Sequence, residues 1–309
     1  MCNIFDPRRT DAVSIIGVIA LRGITKSRDN QIRPEMSMAS TIRVPQVSPP
    51  APYDKVSNAY DATRKPDPRL TDAILEQLRP EPRGKYLDVG CGTGNYLAEF
   101  AARGHAMIGL DVSEGMLCIA REKSSTSEFI HSPAEKIPLA DASMAGAFSC
   151  LAVHHFADLE AMAREVHRVL KPGTRFVIFT TDPCQTRTFW LNEYFGELMR
   201  SSESLMPPVT RLVTVLQCAG FRPVNVSTWD IPEDMVDLFL YGAKHQPALY
   251  LRDDVRQGIT RFRNAKQSRS VEEGCRKLEQ DIRSGRIAKV LEQYPSSCGD
   301  YTLIAACKS

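Results

Sequence analysis

Leu87-Asp88-Val89-Gly90-Cys91-Gly92-Thr93-Gly94 is the stretch whose reading decides the fold. The apolar run from Tyr86 to Val89 stops at three alternating glycines, and Leu97, Phe100 and Ala101 then recur at helical spacing as far as Gly104. A short apolar run bounded by glycines reads as a buried strand, and the periodic stretch after it as a helix packed on that strand. With no side chains at Gly90, Gly92 and Gly94, the backbone can turn tightly and approach a ligand closely. The helix start that follows carries amide groups lacking intrahelical partners. About 20 residues further on, Asp111 ends a second apolar run, Met107 to Leu110, where an acidic side chain can accept hydrogen bonds from ribose hydroxyls. A nicotinamide site shares this logic but wants the spacing G-x-G-x-x-G, so that a pyrophosphate can rest on the helix. Here the spacing is G-x-G-x-G, and the acidic Asp88 ahead of it suits an amino group better than a phosphate.

Outward from the turn, strand and helix signals alternate. Ser113 is placed to cap a helix carrying Met116, Leu117 and Ala120; Phe129 and Ile130 form a short strand, and Ala145 to Val153 a longer one. Leu159, Met162, Ala163, Val166, Val169 and Leu170 make one apolar stripe that Lys171-Pro172-Gly173 stops, and Phe176 to Phe179 is a fifth strand. Val224 to Trp229 and Tyr301 to Ala306 read as two further strands. The expectation is an α/β fold, a doubly wound Rossmann-like sheet covered on both faces. Residues 51–184 form its core. A helical insertion lies at about residues 230–296, with helices over Asp237 to Tyr241, Leu249 to Phe262 and Val271 to Ile282, and reads as a cap. Residues 1–50, rich in Pro, Ser and Thr, read as a tail outside the 51–309 domain.

The formal net charge of +2 gives no field to favour nucleic acid or anionic lipid, and no apolar stretch is long enough to span a bilayer. The nine cysteines form no C-x-x-C pair, so a metal site is not expected; free thiols in that number fit a cytoplasmic, reducing location. His154 and His155 follow the fourth strand, where a histidine could take a proton from an attacking hydroxyl or amine, or simply shape the pocket. Phe189, Trp190, Tyr194 and Phe195 could line a substrate pocket or form helix core. Arg252, Arg256, Arg261 and Arg263 read as a solvated helical face, with attraction of an anionic substrate as the alternative.

The glycine stretch resembles the first motif of class I S-adenosylmethionine-dependent methyltransferases. Gly109-Leu110-Asp111-Val112-Ser113 with Met116 is similar to their second-strand motif, Ala134-Glu135-Lys136-Ile137-Pro138-Leu139 to the segment near the adenine, and Leu151 to Phe156 to the end of their fourth strand. Glu165 to Gly173 resembles the helix and turn before their fifth strand, and Gly299 to Ile304 their last strand. The resemblance implies seven strands with the last antiparallel, S-adenosylmethionine as cofactor and a small-molecule methyl acceptor. It implies that Gly90, Cys91, Gly92, Gly94 and Asp88 hold the methionine end, that Asp111 holds the ribose, and that Val112, Met116, Ala134, Glu135 and Leu151 surround the rest. Tyr53, Tyr60 and Arg64 resemble a Y-x6-Y-x3-R element that closes over the cofactor in some members. Pro133 departs from the pattern, standing where many members carry a polar residue. A nicotinamide oxidoreductase and a non-catalytic S-adenosylmethionine-binding protein are the competing readings.

Overall fold

The computed structural model describes residues 59–309, apart from Gln267 and the side chains of Ala59 and Tyr60. Tyr53 and the expected tail, residues 1–50, lie outside the described residues. Seven strands, β1 (Lys85–Val89), β2 (Ala106–Asp111), β3 (Glu128–His131), β4 (Gly146–Cys150), β5 (Arg175–Thr180), β6 (Phe221–Trp229) and β7 (Tyr301–Lys308), form one sheet in the order β3-β2-β1-β4-β5-β7-β6. The pairs among β1 to β5 are parallel, and β7 runs antiparallel to both its neighbours. The chain winds outward from β1 in one direction and resumes at β4 in the other. The carboxyl ends of β1 and β4 therefore flank a switch point, where open α/β sheets hold ligands.

Side-chain alternation builds a core on each face. On β1, Tyr86 enters one cluster while Leu87 and Val89 enter the other; on β5, Val177 and Phe179 oppose Phe176 and Ile178. The helices in chain order are α1 (Ala59–Thr63), α2 (Pro68–Leu78), α3 (Asn95–Ala102), α4 (Glu114–Lys123), α5 (Leu159–Val169), α6 (Pro183–Arg187), α7 (Asn192–Leu205) and α8 (Val209–Cys218), followed in the insertion by α9 (Asp253–Gly258), α10 (Thr260–Asn264), α11 (Arg269–Ser284) and α12 (Ile287–Gln293). The stripe read on α5 is buried in full, and Asp158 caps that helix by accepting from the Ala161 amide. Ser113 caps α4 by accepting from the Met116 amide.

Three expectations need correction. The fourth strand ends at Cys150 rather than Val153. Leu151 turns left-handed at φ 53°, and Val153–His155 form a 3₁₀ turn, so the ladder cannot continue. Asp237 to Tyr241 is not helical: Asp237 pairs with Arg64 as an isolated antiparallel bridge, and the Leu238 amide donates to the Thr63 carbonyl at 3.0 Å, partners that displace local helical bonds. The stretch Leu249 to Phe262 is broken into a 3₁₀ turn, Pro247–Leu251, and the short helices α9 and α10, because the chain extends at Ile259 just after Gly258.

Candidate active site

Gly90 and Gly92 take φ 77° and 54°, the left-handed region that favours glycine. A Cβ on Gly90 would lie 2.7 Å from that of Ala152, so the turn passes hard against the chain leaving β4. The Gly90 and Cys91 amides donate to the Leu110 carbonyl at 2.8 and 3.0 Å, and the Gly92 amide donates to Asp111 Oδ2 at 2.8 Å. These amides thus fasten the turn to the end of β2, and the turn's service to a ligand is its missing side chains. Gly94 stands apart from the cavity. It precedes α3 at φ 74°, where a Cβ would come 3.0 Å from that of Ala120, so it lets α3 and α4 approach.

The turn forms one side of a cavity of about 380 Å³ at the switch point, which Arg64, Asp88, Gly90, Cys91, Gly92, Asp111, Val112, Met116, Ala134, Glu135, Leu151, His154 and His155 all line. Burial, and Asp111 beside it, push the Asp88 carboxyl well above the usual carboxylate range. Burial raises Asp111 too, against the pull of the Ser113 and Gly92 amides that it accepts. Two acids of this kind ask for a ligand with cationic and hydroxyl groups. Val112 is 58% exposed, and its exposed apolar surface lies on the cavity. The Leu151 amide donates a hydrogen bond to the Phe179 carbonyl at 2.9 Å while Leu151 is left-handed, and such strain concentrates where chains shape a site. Glu135 accepts from the Ala157 and Asp158 amides at 2.7 and 3.0 Å, tying the loop after β3 to the turn after β4.

His154 and His155 stand with ring centroids 3.9 Å apart. Nδ1 of His154 is buried with no hydrogen-bond partner among the described residues. Burial, then the neighbouring His155 and Arg261, push the His154 imidazole well below its usual range, and burial with Arg261 lowers His155 to about 4. His155 lines the cavity and is exposed to solvent. Both imidazoles are neutral at pH 7.

The far side is built from distant segments: the sequence reading assigns Arg64 and the covering insertion to it, but not Asp237, Tyr96 or Asp61. Asp237, 1% exposed, accepts from Arg64 Nε at 2.6 Å and from the Tyr96 hydroxyl at 2.9 Å. Asp61 on α1 accepts from Thr93 Oγ1 at 2.9 Å and pairs with Lys123 at 2.7 Å, docking α1 onto the glycine turn. Tyr60 lies in α1 and is described in its backbone only. The insertion adds Phe239, Leu240, Ile259, Thr260 and Arg261 to the wall. Arg261 therefore leaves the solvated face expected of it, whereas Arg252 and Arg256 pair with Asp254 and Asp253. Phe189, Trp190, Tyr194 and Phe195 are buried core. Phe189 stacks on Tyr241 at 3.8 Å, Trp190 meets Tyr250 edge-on at 5.4 Å, and Phe195 meets Phe262 edge-on at 4.9 Å, so this cluster anchors the insertion.

Among the described residues, no group of three or more His, Cys, Asp or Glu side chains could hold a metal ion, and no helix is long and apolar enough to cross a membrane.

A switch-point cavity with an acid at the end of each of two adjacent strands defines an α/β protein that holds a nucleoside-bearing ligand. Residues 87–178 match the family model described as a methyltransferase domain. A solved structure from Anabaena variabilis, described as a methyltransferase from an antibiotic biosynthesis pathway, is 30% identical, with a TM-score of 0.70 over 79% of this chain and 98% of that one. The malonyl-[acyl-carrier protein] O-methyltransferase of Serratia marcescens is 32% identical over 42% of this chain and 50% of its own length. The demethylmenaquinone methyltransferase of Chlorobaculum tepidum is 42% identical over 32% and 41%, respectively. The chain belongs to the class I S-adenosylmethionine-dependent methyltransferases. It spans about half the length of the curated relatives it matches.

Proposed function

We propose that this protein transfers the methyl group of S-adenosylmethionine to a small-molecule acceptor. The observation that carries this reading is the convergence of Asp88, Asp111, the side-chain-free turn and the bare apolar face of Val112 on one cavity. Bound there, the cofactor supplies a methyl group already activated by a positive sulfur. The protein's part is to bind, orient and exclude water. Asp88, buried and held high, gains a counter-charge from the amino group of the methionine end, with Cys91 and the glycines beside it. Asp111 takes the ribose hydroxyls while keeping its hold on the turn. Val112, Met116 and Ala134 supply apolar contact for the adenine, Glu135 braces that wall, and Leu151 bounds the pocket at β4. Gly94 serves the same site indirectly by setting the approach of α3. Arg64 and Tyr60 belong to the covering element, which α1 and the insertion close from above.

His154 and His155 face the acceptor. As neutral imidazoles they can accept a proton from a hydroxyl or donate a hydrogen bond to an anion. The domain of residues 51–309 works as a unit on a small molecule, without nucleic acid, and its unpaired thiols among the described residues suit the cytoplasm.

Titration with S-adenosylmethionine and with NAD separates a methyl donor from a nicotinamide, and turnover of labelled S-adenosylmethionine against a metabolite extract separates an enzyme from a binding protein. Asp111→Ala is expected to lose the ribose contact and to weaken S-adenosylmethionine binding at least about tenfold, the scale of a lost charge-assisted bond. Unchanged affinity in that variant would remove the ribose assignment.

A further inference from the structure

We propose that Asp237 is a positioning residue that clasps the insertion to the covering segment at residues 61–69, and that cofactor exchange passes through the opening of this clasp. The proposal rests on the methyl-donor reading of the same cavity.

The covering segment is bonded on two sides. Toward the glycine turn, Asp61 meets Thr93 and Lys123, and Asn95 Nδ2 donates to the Arg64 carbonyl at 2.5 Å. Toward the insertion, residues 234–238 run beside it. The Leu238 amide donates to the Thr63 carbonyl at 3.0 Å, and the Val236 amide to Asp67 Oδ2 at 3.2 Å. At the outer end Arg69 donates to the Asp234 carbonyl at 3.3 Å and pairs with the Asp234 carboxylate. Asp67 is fully buried there, caps α2 by accepting from the Arg69 amide, and also holds the Arg69 guanidinium.

Asp237 closes the inner end. Its Oδ1 accepts from Arg64 Nε at 2.6 Å and its Oδ2 from the Tyr96 hydroxyl at 2.9 Å. One carboxylate thus joins the insertion both to the cover and to α3, the helix that leaves the glycine turn. Arg64, Tyr96 and Asp237 all line the cavity, and Phe239 and Leu240 follow Asp237 along the same wall. The joint is therefore part of the cavity wall, and parting it opens the cavity. An apolar seam would suit a permanent joint better, because burying two charges carries a desolvation cost that their attraction can fail to offset. An ion pair suits a joint that opens. Water rehydrates both charges once they part, whereas a parted apolar seam stays unfavourable.

Release of labelled S-adenosylhomocysteine from the full chain, chased with an excess of unlabelled ligand, tests the clasp. Asp237→Asn keeps the shape of the side chain and removes its charge. Release should quicken at least about tenfold, the scale of a lost charge-assisted bond, while association is not slowed. Tyr96→Phe leaves the ion pair and removes one bond to the same carboxylate, so release should quicken at least about threefold. This second variant carries the test by itself if Asp237→Asn fails to fold. Val215→Ala controls for general loosening: Val215 is buried on α8 and does not line the cavity. Its thermal unfolding should shift down while release stays within about twofold of wild type. Release from the Asp237 and Tyr96 variants that is no faster than from Val215→Ala makes Asp237 a structural contact only. That result overturns the proposal and leaves the methyl-donor reading intact. A wild-type protein that fails to bind S-adenosylhomocysteine brings down both, so the two failures are distinguishable.

Discussion

The cavity has a floor and a roof made in different ways. The floor, at the ends of β1 and β2, is a backbone structure: glycines in left-handed conformations, amides closed onto Leu110, and one carboxylate bridging Gly92 and Ser113. Its members lie within some twenty residues of one another in the chain, as in Gly92 to Asp111, 19 apart. The roof is a side-chain structure. Arg64 meets Asp237 across 173 residues and Tyr96 meets Asp237 across 141, while aromatic packing fixes the insertion that carries Arg261. Local geometry makes the floor rigid, whereas the roof stands on a few buried polar contacts whose loss is costly. The floor therefore suits a ligand portion common to a family and the roof an individual acceptor.

The largest effect should come from the roof's central acid. Asp237→Ala removes the carboxylate to which Arg64 and the Tyr96 hydroxyl both donate, and breaking a buried pair from one side costs about 3–5 kcal/mol. Thermal unfolding of this variant should shift down by many degrees. The double substitution Arg64→Met with Asp237→Leu should recover most of that stability, since apolar residues of similar size often replace such pairs at little cost. It should not recover S-adenosylmethionine affinity if Arg64 closes over the cofactor. Full recovery of both would make the pair a structural contact only.

The floor should yield less stability but more binding. Gly90→Ala puts a Cβ 2.7 Å from that of Ala152 at φ 77°, which together should cost about 2 kcal/mol. Because the turn must move to relieve the contact, calorimetry should show S-adenosylmethionine affinity falling by more than the unfolding midpoint suggests. Gly104→Ala is the control: φ is also positive, at 90°, but a Cβ would meet nothing within 4 Å. If the two variants bind the cofactor alike, the close approach at Gly90 is unimportant to the site.

The same division governs what the sequence made legible. The alternation of strands and helices, the two-sided core, the glycine turn and Asp111 follow from short-range signals: alternation on β1 and β5, the stripe on α5, and spacing along one strand-turn-helix unit. Asp237 could not be found that way, because its neighbours Leu238 to Tyr241 are apolar enough to suggest a helix and its partners are far away in the chain. Arg261 sits in a run with Arg252, Arg256 and Arg263, and the break at Gly258 and Ile259 spoils the helical phase that would have set it apart. Trp190 and its neighbours carry the opposite lesson: aromatic residues clustered near a site can be the anchor for what covers it.

The smallest expected effect joins floor to roof through pH. His154 and His155 have folded pKa values below the ordinary value of 6.5, His155 at about 4, with burial the larger cause and Arg261 a smaller one. Between about pH 6.5 and 4 the unfolded chain therefore binds more protons at these sites than the native one, and stability falls as pH falls through that window. Below the folded value of His155 its contribution levels off. His155→Gln should flatten the acid limb of the unfolding midpoint between pH 6.5 and 4 relative to wild type. Arg261→Gln should flatten it less, because removing the charge leaves burial in place. Superimposable slopes for wild type and His155→Gln would mean that solvent in the cavity, rather than the protein around it, governs the imidazole. An equal flattening by Arg261→Gln would instead make the roof's charge the dominant influence on the turn after β4.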